Sequence, residues 1–198
     1  FTVTLAGYAQ ATGKLSLRDS PARYVPELEG SAFARTTLIN LATHTAGGFP
    51  LQVPDAVQDT AQLMAYLKAW TPQYAPGTHR TYANPSIGML GVAAARSLGQ
   101  PYVTAMEQGL FPKLGLRGTY LNVPPEKMPD YAWGYNKQNA PVRVNPGVLA
   151  DEAYGVKSTA RDMIRFVEVN LGVAPADAGV QRAIAATHTG YYQLGAMT

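Results

Sequence analysis

A tyrosine and an asparagine lie two residues apart, at Tyr82 and Asn84, in the segment HRTYANPSIGMLG. A phenol can exchange a proton, and a side-chain amide can donate and accept hydrogen bonds at once. Local structure predicts something plainer, because asparagine is a favoured N-cap and Pro85 is favoured at the first helical position. That interpretation explains Asn84 and Pro85, but it leaves Tyr82 without a role.

The composition excludes several kinds of site. There is no cysteine, so a disulfide scaffold, a thiolate metal site and a cysteine nucleophile are all excluded. The three histidines, His44, His79 and His188, are far apart along the chain and show no local metal-ligand spacing. We therefore expect neither a metal ion nor another cofactor.

The charge and hydropathy patterns argue against two classes of partner. The net charge is +3, but the basic residues are scattered and form no run, so nucleic-acid binding is not predicted. No segment reaches the ~18 consecutive apolar residues that a membrane span requires. With 198 residues, of which 46% are hydrophobic, the chain can bury a sizeable core.

Hydrophobic spacing and capping residues predict a mainly helical chain. Gly47 and Gly48 are expected to end the second helix at its C-terminal cap. An alternating segment around Asn139, residues 131–144, predicts a β-hairpin. The predicted helices cover residues 1–11, 37–45, 59–70, 85–98, 101–110, 158–171 and 178–186.

Two of these helices have distinctive faces. The helix over 85–98 is rich in glycine and alanine, which predicts that another element packs closely against it. The helix over 158–171 is amphipathic, and Thr159 with Asp162 resembles a capping box at its start. Its apolar stripe, which we expect to face inward, consists of Met163, Ile164, Val167 and Leu171.

Four blocks in this order carry a family resemblance: LATHTAGGFPLQ, YANPSIG, DYAWGY and DEAYGVKST. Together they resemble the middle portion of a class C β-lactamase, and the resemblance runs over essentially all 198 residues. It implies an α+β fold of the serine β-lactamase and penicillin-binding-protein type. In that fold an antiparallel sheet comes from both chain ends and a helical region from the middle, so residues 1–198 would form a partial domain.

The resemblance implies a serine hydrolase that opens the β-lactam ring through an acyl-enzyme. The family's S-x-x-K and K-T-G motifs are both absent here. We expect the first just before Phe1 and the second beyond Thr198, which would make the chain an internal fragment truncated at both ends. Such a fragment would be inactive alone, and helices 1–11 and 85–98 would lack the sheet that buries them.

The family's functional residues carry over to four positions. Tyr82 and Asn84 match the catalytic tyrosine and asparagine, while Gln52 and Tyr154 match residues that contact the substrate. A tyrosine phenol has an ordinary pKa of about 10, so a role as base at pH 7 needs a shift of roughly 3 units, or ~4 kcal/mol. The sequence leaves two roles open: the phenolate is the base, or the upstream lysine is the base and Tyr82 relays the proton.

Two departures from the family and one internal serine complete the candidates. His44 stands where a tyrosine is commoner, and LADEAY replaces the usual LDAEAY, which moves a carboxylate to Asp151. Ser86 is the only nucleophile candidate inside the chain. Its position in a first helical turn favours an ordinary hydrogen bond to the backbone instead.

Two other functions remain open at the level of sequence. The chain could belong to a D-Ala-D-Ala peptidase or esterase of the same fold, or to a non-catalytic module that binds β-lactams or peptidoglycan. The β-lactamase resemblance implies a periplasmic enzyme, monomeric at full length, whose partner is a small-molecule β-lactam.

Overall fold

Helices make up most of the regular structure in residues 1–195, which are the residues that the computed structural model describes. One two-stranded antiparallel hairpin accompanies them, formed by β1 (Gly134–Tyr135) and β2 (Pro141–Val142). The helices are α1 (Thr2–Ala11), α2 (Leu38–Ala42), α3 (Thr60–Ala69), α4 (Asn84–Ser97), α5 (Tyr102–Thr104), α6 (Phe111–Leu114), α7 (Ala150–Ala153), α8 (Ala160–Asn170) and α9 (Ala178–Thr187). Within this described part, no helix is both long and apolar enough to cross a membrane.

Helix α1 lies at the centre of the core. It packs against α4 and α9, and a Cβ on Gly7 would lie 3.0 Å from the Ala183 carbonyl oxygen of α9. Leu5 and Ala9 are buried, and so is most of α4. The expectation that α1 and α4 would expose apolar surface for want of the sheet is therefore wrong, because α1 packs against both α4 and α9.

Helix α7 packs closely against the glycines of α4, as the pattern of small residues in α4 predicts. A Cβ on Gly88 would lie 2.8 Å from Leu149 Cβ, and one on Gly91 would lie 2.8 Å from Glu152 Cβ. Leu149 has a left-handed backbone (φ 67°) immediately before α7. The close approach of the two helices fixes the position of Tyr154, the residue that follows α7.

The apolar face of helix α8 is exposed, whereas the sequence predicts that it is buried. Its start is anchored by Asp162, which is buried and accepts hydrogen bonds from the Gly118 N–H (2.7 Å) and the Thr119 hydroxyl (2.6 Å). The Thr159 hydroxyl caps the helix, but the Asp162 carboxylate does not return the bond of a capping box. The stripe that was expected to face inward is exposed: Met163 (38%), Ile164 (61%), Val167 (50%) and Leu171 (71%).

Helix α2 ends earlier than the sequence predicts. It stops at Ala42, and the chain then takes a left-handed turn at His44 (φ 60°). Gly47 (φ 129°) and Gly48 (φ 93°) lie beyond the helix and do not cap it. Gly47 is needed for another reason, because a Cβ there would lie only 2.7 Å from Pro72 Cβ.

The remaining elements agree with the sequence to within a few residues. Helix α3 is capped by Asp59, whose carboxylate accepts from the Gln62 N–H at 2.8 Å. The helix predicted over 101–110 continues further, through a π-helical segment (Ala105–Leu110) into α6. Asn139 takes a left-handed conformation (φ 57°) at the tip of the predicted hairpin.

Candidate active site

The Tyr82–Asn84 segment lies at the junction between a loop and α4. Ala83 is extended (φ −153°, ψ 129°) and occupies the N-cap position, so the prediction that Asn84 caps the helix is wrong by one residue. The Ala83 N–H donates to His44 Nδ1 at 3.2 Å, and the Asn84 N–H donates to the Leu51 carbonyl at 2.9 Å. Distant parts of the chain thus satisfy these two backbone N–H groups and hold the segment in place.

Tyr82 presents its side chain to solvent at this junction. The residue is 57% exposed, which is high for a large aromatic side chain next to a helix start. One side of its ring packs against the His44 imidazole, with ring centroids 4.6 Å apart and planes inclined by 42°. The phenol is therefore supported from one side and accessible from the other.

Gln52 lies near Tyr82 and Asn84 because the residue before it, Leu51, is hydrogen-bonded to Asn84. Because the Leu51 carbonyl accepts the Asn84 N–H, the segment that carries Gln52 lies directly beside the start of α4. Gln52 is itself exposed. The backbone bond joins two of the four blocks that carry the family resemblance.

Tyr154 follows α7 and is 40% exposed. It lines a cavity of about 570 Å³ whose wall also includes Asp151, Tyr131 and Lys157. Tyr82, Asn84 and Gln52 are not among the residues of that wall. This cavity therefore does not join Tyr154 to the other three predicted site residues.

Ser86 behaves as an ordinary helix residue. It is buried, and its hydroxyl donates to the Leu41 carbonyl at 3.0 Å. A buried hydroxyl engaged in this way is not available to attack a substrate. Within residues 1–195, no cluster of three or more His, Asp or Glu side chains could hold a metal ion.

His44 is the residue whose role in this region the sequence did not reveal. Its side chain is buried and touches both the ring of Tyr82 and the backbone of Ala83. Burial lowers the pKa of the imidazole below its ordinary value of 6.5, and the positive charge of Arg80 lowers it further. The only signal in the sequence was that a histidine replaces the commoner tyrosine.

We expect the neutral His44 to make stability depend on pH. Because its pKa is lower in the folded state, the unfolded chain takes up a proton first as the pH falls below about 6.5. The free energy of unfolding should then decrease until the pH reaches the folded-state pKa. Urea unfolding of the whole protein at pH 7.5 and pH 5.5 should show a larger loss for the wild type than for His44→Asn, and equal losses would contradict the assignment.

Comparisons with known proteins identify the family of the chain as a whole. The Beta-lactamase family model matches residues 1–198. A β-lactamase from Lysobacter lactamgenus is 56% identical over the whole chain, which spans 51% of that sequence. The crystal structure of a β-lactamase/D-alanine carboxypeptidase from Pseudomonas syringae is 59% identical with a TM-score of 0.96, covering 98% of this chain and 55% of that one. A class C β-lactamase structure is 50% identical with a TM-score of 0.95, covering 98% and 54%.

The chain belongs to the β-lactamase family. The predicted α+β fold of the β-lactamase and penicillin-binding-protein type is confirmed, since both the Pseudomonas syringae protein and the class C β-lactamase superpose on nearly all of the chain. The chain spans about half the length of the curated relatives that it matches.

Proposed function

We propose that this chain is the central part of a class C β-lactamase that hydrolyses β-lactams through a serine acyl-enzyme. The observation that carries the proposal is the junction at the start of α4. There Tyr82 is exposed, and the N–H groups of Ala83 and Asn84 are bonded to His44 and Leu51. The segment that carries the phenol and the side-chain amide is thus held by bonds from other parts of the chain, and the phenol is left accessible to a ligand.

The proposed reaction needs a nucleophilic serine, which we place in an S-x-x-K motif upstream of Phe1. The serine oxygen forms a bond to the lactam carbonyl carbon, the carbon–nitrogen bond breaks, and the serine proton ends on the ring nitrogen. Water then cleaves the ester and regenerates the serine. A serine hydroxyl is a weak nucleophile, so the proton needs a group that accepts it and passes it on.

Tyr82 is the proposed proton-transfer residue of the ring-opening step. Its phenol either accepts the serine proton as a phenolate or relays that proton from the upstream lysine to the leaving nitrogen. Lysine ammonium groups from the two missing motifs would favour the phenolate. The amide of Asn84 can accept from a lysine and donate to a substrate carbonyl at the same time.

Gln52 and Tyr154 are the proposed substrate contacts. Gln52 would meet the amide side chain of the β-lactam, and Tyr154 would form part of the wall of the site. Both side chains are exposed, as such contacts require. We further propose a periplasmic monomer at full length.

A D-Ala-D-Ala carboxypeptidase is the second candidate function. It is favoured by the names of two solved structures, the Pseudomonas syringae protein and the D-alanine carboxypeptidase AmpC from Burkholderia cenocepacia, which is 49% identical to this chain. A peptidase and a β-lactamase share the acylation step but differ in how fast water cleaves each acyl-enzyme. The two functions can therefore be distinguished by which substrate, a β-lactam or a D-Ala-D-Ala peptide, the protein turns over rapidly.

Parallel assays of the whole protein test the proposal. We expect steady hydrolysis of a chromogenic cephalosporin, and much slower release of D-alanine from a peptide that ends in D-Ala-D-Ala. Rapid release of D-alanine together with long-lived acylation by the cephalosporin would favour the carboxypeptidase. Reversible binding of both compounds without turnover would identify a non-catalytic module and contradict the proposal.

A further inference from the structure

His44 holds the segment around Tyr82 at three points. Its carbonyl oxygen accepts the Thr81 N–H at 2.9 Å, on one side of Tyr82. Its Nδ1 accepts the Ala83 N–H at 3.2 Å, on the other side. Its ring packs against the ring of Tyr82 between these two bonds. A single residue thus contacts the backbone before and after the tyrosine, and the tyrosine itself.

The local conformation of His44 makes this arrangement possible. The residue has a left-handed backbone (φ 60°), which brings its carbonyl and its imidazole to the same neighbouring segment. Histidine and asparagine adopt this conformation more readily than most other residues. The imidazole is buried, so water cannot easily replace Nδ1 as the acceptor for the Ala83 N–H.

From these contacts we infer that His44 is a positioning residue for Tyr82, acting through the hydrogen bond from the Ala83 N–H to Nδ1. Without this bond the buried N–H of Ala83 loses its partner, and the backbone on the helix side of Tyr82 is free to move. Small displacements of a reacting group cost much of its rate advantage. The inference rests on the proposed function, in which Tyr82 transfers a proton.

The bond also fixes the proton on the imidazole. Nδ1 can accept the Ala83 N–H only when it carries no proton, so the neutral ring must carry its proton on Nε2. This requirement concerns the histidine alone and holds whatever reaction the protein catalyses. It therefore gives a test that is independent of activity.

Two variants separate the hydrogen bond from the rest of the side chain. His44→Ala removes the acceptor and the ring. His44→Asn removes the ring but retains an acceptor, because Asn Oδ1 follows the same Cβ–Cγ bonds as His Nδ1, and asparagine also tolerates the left-handed backbone. The backbone N–H of Asn84 donates to the Leu51 carbonyl and not to His44, so its hydrogen exchange serves as an internal control.

Kinetics of the whole protein form the first arm of the test. We expect His44→Ala to lower kcat/KM for a cephalosporin about tenfold. His44→Asn should recover most of that loss. In a Tyr82→Phe background the effect of His44→Ala should shrink to less than about twofold, because a positioning residue has nothing left to position. An alanine variant with full kcat/KM, an asparagine variant as impaired as alanine, or an undiminished effect in the Phe background would each overturn the inference.

Nuclear magnetic resonance of the whole protein forms the second arm. At pH 7.5 the ¹⁵N shifts of His44 should report a proton on Nε2, and His44→Ala should speed hydrogen exchange at the Ala83 amide but not at the Asn84 amide. A proton on Nδ1, or unchanged exchange at Ala83, would overturn the inference. If the wild type hydrolyses no cephalosporin while these results hold, the proposed function fails and the hydrogen bond of His44 stands.

Discussion

Replacing Tyr82 by phenylalanine is expected to lower β-lactam turnover by the whole protein on the order of 10²-fold or more. The substitution removes only the hydroxyl that the proposal uses for proton transfer. It leaves the ring that packs against His44, and a half-exposed phenol contributes little to the core. Folding should therefore be preserved, and the loss should appear in the chemical steps.

A second tyrosine provides the matched control for this variant. Tyr135 lies in the hairpin, is 64% exposed and belongs to no part of the proposed site. Tyr135→Phe removes the same atom and should leave turnover unchanged. Unchanged turnover in Tyr82→Phe, with an intact melting profile, would reduce Tyr82 to a packing residue.

Replacing Gly88 by valine is expected to destabilise the protein by about 3 kcal/mol. Even the Cβ of the new side chain would lie 2.8 Å from Leu149 Cβ and 3.0 Å from Leu149 Cδ1, so α7 must move away from α4. Because Tyr154 directly follows α7, the movement should also disturb this wall of the site. Urea unfolding of the whole protein measures the loss.

Gly109 offers the control for that experiment. Outside the adjoining turn of its own helix, the nearest atom to a Cβ at Gly109 is the Thr104 carbonyl oxygen at 4.0 Å, so Gly109→Ala should cost little. Equal stability of Gly88→Val and Gly109→Ala would contradict the close packing of α4 and α7.

The sequence predicts local features of the site better than it predicts their surroundings. Tyr82 and Asn84 do lie where a loop becomes a helix, as the proline and the apolar spacing indicate. The N-cap was assigned one residue too late: Ala83 has the extended N-cap backbone, held by its bond to His44 from a distant part of the chain, and Asn84 is already the first helical residue. Capping preferences describe the local backbone and contain no information about such partners.

Helix α8 shows that the sequence is equally uninformative about which face of a helix is packed. Its hydrophobic period identifies an apolar face correctly, but a period cannot say which face is covered. Among the described residues the helix is anchored by a buried carboxylate at Asp162, which reaches Gly118 and Thr119 more than 40 positions earlier. The apolar stripe is left exposed as a result.

Mass spectrometry of the whole protein can trap and locate the proposed serine acyl-enzyme. The protein is mixed with a cephalosporin, quenched within the first turnovers and digested to locate any adduct. We expect a transient ester that carries the opened β-lactam, attached to a serine upstream of Phe1, which disappears as hydrolysis is completed. Hydrolysis without any covalent adduct, or an adduct on Ser86, would contradict the proposal.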